Sequence, residues 1–103
     1  MLIGSCTAVA SEAVEITVRD SVSGAARADG ARGTLVSSSV SDTLVQLDSL
    51  RLRGGDQLGT YMVTVDRPGY LAWTASNVRV TEEGACGNVI PVQLNARLQP
   101  ATP

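Results

Sequence analysis

Gly59-Thr60-Tyr61-Met62-Val63-Thr64-Val65 is the stretch on which the fold class turns. Tyr61, Val63 and Val65 alternate with Thr60, Met62 and Thr64, the period of two that gives a strand one face for the core and one for water. Asp66-Arg67-Pro68-Gly69 ends it as a turn, with the fixed φ of Pro and the freedom of Gly suited to a reversal. Upstream, Val14, Ile16 and Val18 alternate with Glu15, Thr17 and Arg19 in the same way. Asp20-Ser21-Val22-Ser23-Gly24 then turns the chain, since Asp bonds backbone amides and Gly takes positive φ.

Outward from these two strands the pattern repeats. Residues 31–36 and 42–47 read as a hairpin around Ser37-Ser38-Ser39. Residues 48–58, with Gly54-Gly55-Asp56, read as a loop that tucks Leu50 and Leu52 under the sheets and carries at most a weak helix signal. Two further strands are predicted over 70–74 and 77–81, and a long one over 87–98 in which Ile90, Val92, Leu94, Ala96 and Leu98 share a face. Pro91 cannot donate a ladder hydrogen bond and marks an edge or a bulge. About seven short strands spaced by roughly ten residues, without a convincing helix, predict an all-β sandwich or barrel. The predicted core is Val14, Ile16, Val18, Tyr61, Val63, Val65, Ile90, Val92 and Leu94.

Composition agrees and excludes several functions. A chain of 103 residues fits one domain. With 44% hydrophobic and 17% charged residues it belongs with globular chains rather than disordered ones. Net charge is −2 and the eight basic residues are all Arg, scattered singly along the chain, so nucleic acid is not an expected partner. No apolar run approaches the roughly 18–20 residues of a spanning helix.

Cys6 precedes the first predicted strand and Cys86 opens the last, and with no His in the chain they belong to no metal-ligating set. Three readings stay open: a disulfide between them, a lipid on Cys6 with Cys86 free, and two unrelated thiols. The disulfide leads. It would close nearly the whole chain and stabilise it by about 4 kcal/mol on the loop-entropy account. Met1-Leu2-Ile3-Gly4-Ser5-Cys6 is similar to the tail of a bacterial secretory leader, small residues before a Cys as at a lipoprotein cleavage site. Both features point outside the cytoplasm, to the periplasm, the envelope or secretion, with membrane attachment through Cys6 in the lipid case.

Beyond these features, the run from Gly59 to Val65 with Pro68-Gly69-Tyr70 resembles the carboxypeptidase regulatory-like domains, whose recurrent phrase is G-x-Y-x-V-x-V, a short turn and G-Y. Residues 14–24 look like that family's opening strand and D-x-x-(T/S)-G turn, 77–81 like its N-V-x-V-T strand, and 92–98 like its closing V-x-L-x-A-x-L. Gly30-Ala31-Arg32-Gly33-Thr34-Leu35 departs from the family's G-A-x-V pattern. The resemblance implies a Greek-key, transthyretin-like sandwich over residues 13–99, after an N-terminal segment of residues 1–12 and before a flexible tail of residues 100–103. It also implies an accessory, adhesive or scaffolding role.

Catalytic chemistry finds little footing. The related hydroxyisourate hydrolases work through histidines and end in Tyr-Arg-Gly-Ser, both missing here, and isopeptide-forming adhesins need a Lys that this chain lacks. Ser37, Ser38 and Ser39 have no His or Lys to activate them and read as a solvated loop. Glu82 with Glu83, and Asp42 with Asp48, read as solvated turn carboxylates, and Asp48 with Asp56 supply too few oxygens for Ca²⁺. No catalytic residue, cofactor or metal is predicted. Trp73 is the one candidate ligand contact; Tyr70, expected on the opposite face of an alternating strand, would not share a platform with it. The expected function is a non-catalytic structural or protein-interaction module of a bacterial envelope or secreted protein. The alternative is a carbohydrate- or peptide-binding accessory module, so the partner is a protein or a glycan.

Overall fold

A computed structural model describes residues 13–55, 57–83 and 88–101. Among them there is no helix, and nine strands form two sheets. They are β1 (Val14–Asp20), β2 (Arg32–Val36), β3 (Ser41–Thr43), β4 (Val45–Gln46), β5 (Arg51–Gly54), β6 (Gly59–Asp66), β7 (Trp73–Glu83), β8 (Asn88–Ile90) and β9 (Val92–Leu98). The first sheet has the order β4-β5-β1-β9 and the second β3-β2-β6-β7-β8. The core between them takes Val14, Ile16 and Val18 from β1, Leu52 from β5, Ala96 and Leu98 from β9, Leu35 from β2, Tyr61, Val63 and Val65 from β6, and Val78 and Val80 from β7. The alternation of β1 and β6 is thus realised as buried and outward-facing residues in turn.

The predicted hairpin is present as β2 and β3, with Thr34 opposite Thr43 and Val36 opposite Ser41. Its second arm does not run on to residue 47. At Leu44 the chain leaves the second sheet, and Val45 pairs with Arg53 of β5 in the first. Leu44 is buried at this crossing against two glycines: a Cβ on Gly33 would lie 2.5 Å from its Cδ1, and one on Gly54 would lie 2.9 Å from its Cδ2. The expected loop over 48–58 contains strand β5 instead, held because Leu52 fills the core opposite Ile16.

Two segments read as separate strands, 70–74 and 77–81, belong to one strand, β7, which begins only at Trp73. Tyr70 stands before it, in an isolated bridge to Pro100, because the turn through Gly69 (φ +86°) has not yet brought the chain into the sheet. Within β7 a bulge sets Ser76 and Asn77 against Met62, between the pairs Val63 with Ala75 and Tyr61 with Val78. Asn77 takes φ +58°, a left-handed conformation that Asn tolerates better than most residues.

Pro91 marks a change of sheet, not an edge position or a bulge within one long strand. It separates β8, paired to β7, from β9, which runs parallel to β1 from Val14 opposite Val92 to Asp20 opposite Leu98. This corrects the predicted core. Ile90 belongs to the second sheet and is 38% exposed, since its phase is set by pairing with Thr81 and not by the residues after the proline. Val92 and Leu94 are half-buried on an edge strand, and the deep end of β9 is Ala96 and Leu98. Past β9 the chain stays attached, Leu71 N–H donating to Gln99 O (2.8 Å) and Ala101 N–H to Gly69 O (2.9 Å).

Candidate functional site

Asp20, at the end of β1, is the one charged residue among the buried described residues. Its Oδ1 accepts the amides of Val22 (2.7 Å) and Ser23 (2.9 Å), closing the turn that the sequence placed there. Its Oδ2 accepts the Tyr70 hydroxyl at 2.6 Å, and that hydroxyl accepts Arg27 Nε at 2.9 Å. Arg67 lies over the Tyr70 ring, 5.4 Å from its centre. The Tyr70 hydrogen bond, then the two amides, hold the Asp20 carboxyl at about 2, below the usual carboxylate range. A carboxylate so fully engaged fastens the β1 turn to the β6–β7 connection; it has no proton to exchange near neutral pH.

The remaining polar candidates are engaged in the same way. Ser37 Oγ accepts the amide of Val40 at 3.0 Å and caps the β2–β3 turn. Asp48 Oδ1 accepts the amides of Leu50 and Arg51, and Oδ2 binds Arg51 Nη2 at 2.8 Å; the Arg51 hydrogen bond foremost lowers its carboxyl below the ordinary range. No group of three His, Cys, Asp or Glu residues that could hold a metal ion is found among the described residues. Cys6, Cys86 and Asp56 lie outside the described residues.

The two outer faces differ in kind. That of the first sheet presents Glu15, Thr17 and Arg19 from β1, Arg51 and Arg53 from β5, and Gln93, Asn95 and Arg97 from β9. Half of the chain's arginines are gathered there, although in sequence they are scattered. Arg51 pairs with Glu15 at 3.4 Å, whereas Arg19 stands in register with Arg97. On the second sheet, Thr43, Thr34, Thr64 and Thr74 lie in one row across four strands. Beside it run Ser41, Val36 and Met62, and among the described side chains charge returns toward the ends, at Arg32 with Asp66 and at Arg79. Val36 is 46% and Met62 52% exposed. They border a cavity of about 340 Å³ with Thr60, Ser76 and Asn77, so the β7 bulge shapes this surface.

Trp73 opens β7 half-buried, packed against the core. With Leu71, Ala72, Thr74, Arg97 and Gln99 it lines a cavity of about 200 Å³. Tyr70 is not among these residues; it stands before β7 and not, as the sequence suggests, on an alternating strand with Trp73. Arg97 and Gln99 were missed in sequence because only the pairing of β9 with the rest of the fold brings them to Trp73. No model of a known protein family matches the chain, and no curated protein is similar to it in sequence.

Proposed function

We propose that this domain is a non-catalytic structural and protein-interaction module of a bacterial envelope or secreted protein, and that it holds its protein partner on the outer face of the second sheet. The observation that carries this reading is the uncharged centre of that face. Sheets that face only water normally carry charge to discourage association, as the first sheet does with its arginines. Here hydroxyls flank an exposed Val36–Met62 pair, a surface that associates at little desolvation cost because no ion is stripped of water.

The assignment to a Greek-key, transthyretin-like sandwich of the carboxypeptidase regulatory-like kind is part of the same proposal. It draws support from the order of the motifs along the chain and from two facing sheets with first and last strands adjacent. Location outside the cytoplasm draws support from the two cysteines, one ahead of the first strand and one ahead of the last two, and from the leader-like residues 1–6. The non-catalytic role draws support from a chain without His or Lys, in which Asp20, Tyr70, Ser37 and Asp48 are taken up by hydrogen bonds that close turns.

A photo-crosslinking residue placed at Met62, and in a second variant at Arg53 on the opposite sheet, tests the reading in cells that make the protein. The expected result is a discrete protein adduct from position 62, lost when Val36→Lys is added, and none from position 53. Equal adducts from both positions, or none from either, would overturn it.

A further inference from the structure

Beyond that protein contact, we infer that the cavity bounded by Trp73, Thr74, Arg97 and Gln99 binds one residue of an acidic saccharide, a sugar ring that carries a carboxylate. Trp73 is the starting point. Its indole is partly packed against the core, so its position is fixed before any ligand arrives, and the rest of it lines the cavity. An aromatic surface fixed in this way suits the C–H face of a sugar ring. The hydrogen bond from Leu71 N–H to Gln99 O ties the two sides of the rim together. Thr74 and Gln99 offer donors and acceptors of the kind sugar hydroxyls pair with.

The charge comes from Arg97. It is the one charged residue lining this cavity, and no described carboxylate forms an ion pair with it. It also stands in register with Arg19 on the neighbouring strand β1, and Arg19 Nη1 is directed to the Gly24 carbonyl at 3.1 Å. Like charges directly opposite on adjacent strands destabilise a sheet. A bound anion relieves that repulsion, and the planar guanidinium fork matches a carboxylate. At about 200 Å³ the cavity falls below the roughly 300–1,000 Å³ of pockets that enclose drug-sized ligands. It therefore accommodates a single ring, with the rest of a saccharide chain running outside.

Trp73 is the only tryptophan in the chain, so its emission reports the site directly. The experiment is a titration of the intact protein with tri-galacturonate, with its methyl-esterified form and with a sulfated oligosaccharide of similar length. Tri-galacturonate should change the Trp73 emission saturably, and the esterified form should bind at least tenfold more weakly. Arg97→Gln, at an exposed position where the fold is expected to hold and circular dichroism verifies it, should weaken tri-galacturonate binding by about tenfold or more, with Arg97→Lys intermediate. An unchanged emission, equal response to the esterified form, a response confined to the sulfated ligand, or an Arg97→Gln affinity equal to the parent's would each overturn the assignment. None of these results bears on the crosslink from position 62, because Met62 is not among the residues that line this cavity.

Discussion

Leu44 is the residue at which the chain passes from one sheet to the other, and its neighbourhood gives a prediction that separates packing from mere hydrophobicity. Leu44→Ala removes a buried side chain and should cost about 3 kcal/mol, within the usual ~2–5 for such truncations. Gly33→Ala should cost about 1–3 kcal/mol by overpacking, because the new methyl carbon would lie 2.5 Å from Leu44 Cδ1 and 3.1 Å from its Cβ. The two changes answer each other. With Leu44 truncated, the Gly33 methyl enters the space left behind, and Ala is the better strand residue by roughly 0.5–1 kcal/mol. The double variant should therefore lose less than the sum of the two single costs, since truncation removes the Cδ1 contact and leaves only the 3.1 Å one to Cβ, a coupling of about 1–2 kcal/mol in a double-mutant cycle. Gly54→Ala gives a second cycle of the same kind: truncation removes the contact of its methyl with Leu44 Cδ2 at 2.9 Å and leaves that with the Leu44 Cα at 3.2 Å, so part of its cost should persist in the Leu44→Ala background. Urea unfolding followed by Trp73 fluorescence measures all of these with one probe. Costs of Leu44→Ala and Gly33→Ala that add to within about 0.5 kcal/mol would refute the packing argument.

Other consequences can be checked by similar means. Val63→Asp places a charge without a partner in the centre of β6, against Leu35 and Ala75, and should unfold the domain, as judged by loss of cooperative melting; a soluble variant with the parent's midpoint would show that the core is misassigned. The Asp20 carboxyl is held at about 2 in the folded protein against 3.8 ordinarily, so its contribution is complete above pH of about 4 and is lost as pH falls from there toward about 2. Tyr70→Phe, which removes the largest cause of that depression, should flatten melting temperature against pH across this window, and an unchanged profile would count against the latch. Intact mass under non-reducing conditions should be two hydrogens below the reduced mass if Cys6 and Cys86 are bridged; two free thiols after oxidative refolding, or a diacylglyceryl group on Cys6, would replace that reading with one of the other two.

What could be read from the sequence follows from how far each signal reaches along the chain. In β1 and in β6 from Thr60 onward seven residues alternate without interruption, and for strands of that length the phase alone names the buried side chains. Strand β5 offers only Arg51, Leu52, Arg53 and Gly54, too short for a period to be recognised, and it exists because β1 pairs with it. Leu44, Asn77 and Pro91 escape the alternation rule for one shared reason. At each the chain changes sheet or register, so the residues on either side refer to different partners, and a pattern carried across the break assigns the wrong face. Ile90 is the instance: correct in phase with Val92 along the chain, it points outward because β8 belongs to another sheet.

The candidate sites were legible only as single residues. Trp73 stands out in any reading as the lone indole, but its company is set by tertiary structure. Thr43, Thr34, Thr64 and Thr74 come from four strands and become one row only through register. Arg19 and Arg97 come from the first and last described strands, and they become neighbours through parallel pairing, which leaves no local turn by which it could be recognised in sequence. The even scatter of arginine along the chain therefore conceals a sorted surface. Inward positions are apolar by necessity, so the choice between charge and hydroxyl is open only at outward ones, where packing does not dictate it. Both proposed contacts arise from that choice: a face kept free of charge where Val36 and Met62 are exposed, and a cation placed beside Trp73, without a counter-ion among the described residues.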